Sequence, residues 1–192
     1  MVQRTTSKIM QITRAHKAAW GSYKDRRNSF DDDEDISRFI KMVHANESLK
    51  SYIKSFLPKG TFSFQPKPYG QYGVDLALFS EQGAPVATVD IERWNAWDND
   101  WPSYYKHIHF LGRKEKFLNQ IENTPFFMAF LNYSRNKVLM ISDKDIQKYP
   151  TIDKFFKAKG VTDKVRELPM SEGYVFGTTL TEREKELFHY DD

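Results

Sequence analysis

Residues 73–94 hold the pattern in this sequence that is best suited to chemistry. Val74, Leu76 and Leu78 alternate with Asp75, Ala77 and Phe79. A second run sets Val89 and Ile91 on one face and Thr88, Asp90 and Glu92 on the other, as a half-buried strand requires. With Gln82-Gly83 at the centre of the turn, the two runs pair as an antiparallel hairpin in which Asp75 faces Asp90. Opposed side chains on a sheet have Cβ atoms about 5 Å apart. Glu92 follows on the same face, roughly 6.6 Å further along the strand. Pro85 makes the turn irregular, and a slip of one residue would separate the carboxylates.

Like charges opposed in a sheet are destabilising. At about 5 Å and an effective dielectric near 20, two carboxylates repel by about 3 kcal/mol. A proton, full solvation or a cation must relieve that repulsion. A hard divalent ion such as Mg²⁺, or Mn²⁺ in its place, suits an all-oxygen ligand set and keeps positions open for water and phosphate oxygens. Such an ion generates hydroxide, polarises a phosphoryl group and stabilises the leaving oxygen, which are the requirements of phosphodiester hydrolysis.

The order Val74-Asp75, hairpin, Val89-Asp90-Ile91-Glu92 resembles the PD-(D/E)XK, restriction-endonuclease-like nuclease superfamily. The resemblance covers roughly residues 36–142 and implies a mixed β-sheet flanked by helices, with metal ligation by Asp75 and Asp90. The position two after Asp90 is usually lysine in that superfamily and is Glu92 here, as in some of its members. Glu92 then ligates metal or positions water. Lys106, on the helix expected to follow, is the candidate replacement for the lysine, or else an ordinary solvated lysine. Arg93 projects to the opposite face. Glu47 either supplies an extra helical acid or is an N-terminal-turn carboxylate. The resemblance favours a Mg²⁺-dependent nuclease acting on DNA rather than RNA. A non-catalytic nucleic-acid-binding protein and a structural protein on the same fold are the alternatives, and a homodimer is a compatible assembly.

Other residues near this stretch admit two roles each. Trp94, Trp97 and Trp101 can stack on a splayed base or roof the core. Asp98 and Asp100 can add ligands, or Asp100 can cap a helix. His107 and His109 are two apart and do not make the i, i+4 pair of a zinc helix.

The elements that must position these groups are legible as patterns. Residues 31–35 (Asp-Asp-Asp-Glu-Asp) read as a loop leading into a helix marked by Ile36, Phe39, Ile40 and Val43. A second helical phase begins near Asn46, and Pro58-Lys-Gly60 closes the helical region. Residues 61–65 form a first strand before the hairpin. Pro102 opens a helix expected to run to about Gln120. Residues 126–133 and 138–142 are strongly β around a turn at Arg135-Asn136. Helical pieces are expected at 143–148 and 151–159, edge strands at 164–168 and 174–178, and a capping box at Thr181-Glu-Arg-Glu184. That order predicts an α/β fold, with α+β as the variant, comprising a basic arm and acidic linker (1–35) and one core domain (36–192).

Composition sets the outer limits. The chain has 192 residues, 40% hydrophobic and 15% aromatic, enough for a core. It contains no cysteine, which excludes disulfides, thiol catalysis and thiolate-bound zinc. No run approaches the roughly 18 apolar residues of a membrane span, and the first residues are polar and basic rather than signal-like, so a cytoplasmic protein without a membrane partner is expected. Net charge is only +3. Its distribution is uneven, however: residues 1–27 carry Arg4, Lys8, Arg14, Lys17, Lys24, Arg26 and Arg27 against Asp25 alone. Such an arm either tracks phosphates or forms a solvated helix neutralised by the acidic run behind it.

Overall fold

A computed structural model describes residues 29–190, so the basic arm expected over residues 1–27 lies outside the described residues. The described residues start with two helices, α1 (Ser29–Ala45) and α2 (Glu47–Lys54). They break at Asn46, whose side-chain oxygen accepts from the Leu49 backbone N–H at 2.9 Å and caps α2. Residues 31–35, expected as a loop, instead lie inside α1. The reason is twofold. Acidic residues are favoured in the first turns of a helix, and Asp35 is buried against Arg135, 2.6 Å away.

Strands β1 (Phe62–Pro66), β2 (Leu76–Ser80) and β3 (Pro85–Trp94) form an antiparallel meander. After a long crossover, β5 (Phe126–Asn132) pairs parallel to β3, then β6 (Lys137–Ser142) and β9 (Tyr174–Gly177) add antiparallel. The six-stranded sheet has the order β1-β2-β3-β5-β6-β9. The turn between β5 and β6 is held by Asn132, whose Oδ1 accepts from the N–H groups of Asn136 and Lys137.

The crossover departs from the expected helix over 102–120. It contains a loop, strand β4 (Ile108–Leu111) and a 3₁₀ turn (Gly112–Phe117). Ile108 and Phe110 point into the core at strand spacing. Gly112 lies so close to Lys164 that a Cβ there would sit 2.7 Å from the Lys164 carbonyl oxygen. The helix expected over 151–159 is likewise strand β7 (Ile152–Phe156), which pairs with β8 (Val161–Leu168). Ile152, Phe155 and Phe156 have the side chains that strands favour, and Gly160, at φ +64°, makes the turn. These strands form a second, three-stranded sheet of order β4-β8-β7. Helices α3 (Asp143–Gln147) and α4 (Glu182–Leu187) follow the expected positions, and Thr181 and Glu184 make the capping box.

Each face of the central sheet has its own core. On one, Phe39, Val43, Leu49 and Ile53 of the two helices pack on Leu76, Val89, Ile91 and Phe127. On the other, Ile108, Phe110 and Leu168 of the small sheet join Trp97, Trp101, Phe117, Met128 and Phe130. The protein is therefore a mixed α/β fold with two sheets and flanking helices. Among the described residues no helix is long and apolar enough to cross a membrane.

Candidate active site

The alternation along β3 decides what lies where. Val89 and Ile91 face the helices, which leaves Asp90 and Glu92 pointing into the layer between the central sheet and the small sheet. The hairpin register matches the expected one: Leu76 pairs with Val89 and Leu78 with Ala87. Continued one step, it brings Asp75 opposite Asp90. The irregularity introduced by Pro85 is confined to a bulge between Leu78 and Phe79, on the turn side, and does not reach the carboxylates. Asp75 sits just before β2, and its Oδ2 accepts from the Ile91 N–H at 2.9 Å.

A lysine completes the cluster. Lys114, in the 3₁₀ turn, donates to Asp90 Oδ2 at 2.6 Å and approaches Glu92 Oε2 at 2.8 Å. It is buried with Asp90, whereas the Glu92 side chain keeps 23% of its surface exposed and forms the open side of the site. Lys106 is not on a helix. It lies exposed in the loop before β4 and, among the described contacts, makes none with the three carboxylates. Lys114 was hidden in the sequence because Arg113-Lys-Glu-Lys116 looks like a solvated charge run. The burial of Lys114 and Lys116 emerges only when the crossover closes over the sheet.

The protonation states follow from this geometry. Burial, then the charge of Asp90, pushes the Asp75 carboxyl well above its ordinary range, against the opposing Ile91 hydrogen bond and Lys114 charge. Burial alone would depress Lys114, but the Asp90 and Glu92 carboxylates outweigh it and raise its affinity for its proton. Lys114 is thus a fixed cation and cannot serve as a proton acceptor near neutral pH. Besides Lys114, Asp90 hydrogen-bonds to the carboxyl of Asp75, and its Oδ1 receives no other donor among the described residues. A proton thus relieves the carboxylate pair in the place that a cation could take.

The other candidates separate clearly. Trp97 and Trp101 are buried: the Trp97 indole donates to Glu184 at 2.6 Å, and that of Trp101 to the Tyr105 carbonyl. Trp94 is half-buried at the site's edge. Asp98 accepts from Ser134, and Asp100 from Thr181 rather than capping a helix. Glu47 opens α2 and pairs with Lys50. The Arg93 guanidinium lies 5.6 Å above the Tyr133 ring, on the face away from Asp90. His109 pairs with Glu167 across β4 and β8. Among the described residues no three His, Cys, Asp or Glu side chains form a ready-made metal cage.

No family profile, no curated protein and no solved structure matches this chain.

Proposed function

We propose that this protein is a Mg²⁺-dependent phosphodiesterase acting on nucleic acid, DNA in preference to RNA, with Asp75, Asp90, Glu92 and Lys114 as its working residues. The observation that carries the reading is the opposition of Asp75 and Asp90, two carboxyls kept together by a proton on Asp75 and the Lys114 cation beside Asp90. A helix, three-stranded meander and parallel fourth strand carrying these residues in this order also resemble the restriction-endonuclease-like core.

The donor set fits a hard divalent ion. Mg²⁺ is commonly held by one or two carboxylates and several waters, so it needs no three-carboxylate cage. Asp75 and Asp90 would hold it, with Glu92 as the group that orients a water. Bound there, such an ion activates water and neutralises charge on a phosphoryl group. The chain's own residues do the rest. Burial and the Asp90 charge keep a proton on Asp75, which would have to leave for Asp75 to hold a cation. Lys114 holds Asp90 and Glu92 in place and presents fixed positive charge where phosphate charge develops.

One observation favours a second reading. Lys114 already neutralises Asp90 and Glu92, so the cluster is also consistent with a structural ion triad on a non-catalytic, nucleic-acid-binding protein. Incubation with plasmid and single-stranded DNA in Mg²⁺, Mn²⁺ and EDTA separates the two. Cleavage in either metal and none in EDTA is expected. DNA left intact in all three refutes the enzyme.

A further inference from the structure

Beyond Glu92 the same face of β3 carries Trp94, roughly 6.6 Å further along. From Trp94 a line of rings runs outward to the surface. Its ring lies 4.6 Å from that of Tyr105, edge to face, and the Tyr105 ring lies 4.9 Å from that of Tyr104. Tyr104 is 70% exposed, more than any other exposed large hydrophobic side chain among the described residues. The inner end is rigid, because Trp94 also packs on buried Trp101 at 5.3 Å. Exposed Lys106 follows Tyr105 directly in the chain and brings a positive charge next to the outer rings.

Asp90, by contrast, is buried, and the cluster reaches the surface through half-buried Glu92 and Asp75. A phosphate reaching these carboxylates must enter a recess. An intact duplex is poorly shaped for that, whereas a separated strand can enter with its bases turned onto aromatic faces. Aromatic rings interleaved with cations form the surface that binds single strands without reading their sequence.

We propose that Trp94, Tyr105 and Tyr104 form a base-stacking platform that leads a single strand, or the frayed end of a duplex, into the Asp75–Asp90–Glu92 site. This rests on the nuclease reading and specifies its substrate as unpaired nucleic acid.

The test is binding of a labelled single-stranded oligonucleotide and a blunt hairpin duplex in EDTA, by the full chain and its Tyr104→Ala and Tyr104→Phe variants. Stacking of one base on an aromatic side chain is worth about 1–3 kcal/mol, so Tyr104→Ala is expected to weaken single-strand binding by about 5- to 150-fold. Tyr104→Phe retains the ring and should bind within about twofold of the parent. Duplex affinity should be the same in all three. Unchanged single-strand affinity in Tyr104→Ala overturns the platform, as does an equal loss on the duplex. A parent that binds neither DNA also overturns it and leaves Tyr104 as a protein-docking residue. Cleavage by the parent in Mg²⁺, assayed in parallel, separates the outcomes: cleavage with unaltered Tyr104→Ala binding removes the platform alone, and absent cleavage removes the nuclease reading.

Discussion

Replacing Asp75 by asparagine keeps the shape of the side chain and an oxygen to accept from the Ile91 N–H, but removes an ionisable group that the fold disfavours. The carboxyl of Asp75 is raised above its ordinary value of 3.8 by burial and by the Asp90 charge. The folded state therefore binds a proton that the unfolded state releases at that pH. Stability contributed by this residue falls as pH rises above about 3.8 and levels off only above the raised folded value. Asp75→Asn lacks this loss. If both carboxyls were ionised at a Cβ separation of about 5 Å and an effective dielectric near 20, they would repel by about 3 kcal/mol, less what Lys114 offsets, and this bounds the gain. The variant is expected to be more stable than the parent by about 1–3 kcal/mol at pH 8 in EDTA. For a chain of 192 residues each kcal/mol raises the melting temperature by about 2–4 °C. Near pH 4 the two should melt together. Calorimetry across that range, in EDTA, reads the difference directly. A variant that melts below the parent at pH 8, or by the same margin at every pH, would show that Asp75 is a structural acceptor and that the electrostatic reasoning is wrong.

Lys114→Met leaves Asp90 and Glu92 without their shared cation. It should destabilise by about 3–5 kcal/mol in urea at neutral pH, with part of the loss recovered on adding Mg²⁺; parent-like stability would contradict the ion-pair geometry. Deleting residues 1–27 should weaken DNA binding and flatten its salt dependence, since fewer counterions are released; an unchanged slope assigns the basic arm to another task.

The carboxylate-bearing hairpin was legible because strand periodicity is two and both faces are buried. Val89 and Ile91 could not serve the helix layer without sending Asp90 and Glu92 to the other side. Asn46 and the Thr181–Glu184 box were legible because capping is a local interaction. The crossover was not. Residues 102–120 offer a proline at helix-start position and frequent charges, but their fate is set by Ile108 and Phe110 packing across the sheet and by the contact of Gly112 with Lys164. Lys114 was missed for the same reason. Nothing near it in sequence distinguishes a lysine that will be buried between two carboxylates from one that stays in water. The acidic run at 31–35 misled in the opposite direction: its charge suggested a loop, while the buried partner that makes Asp35 part of a helix, Arg135, is far away in sequence.

The most direct measurement is the Mg²⁺-dependent rate of DNA cleavage by Asp90→Asn against the parent, with both shown to be folded. Asp90 is the residue that faces Asp75 and contacts Lys114. If Asp90 holds the proposed ion, its loss should lower the rate by orders of magnitude while the fold persists. A variant that cleaves at the parent's rate would place the chemistry elsewhere and reduce the carboxylate–lysine cluster to a structural ion triad.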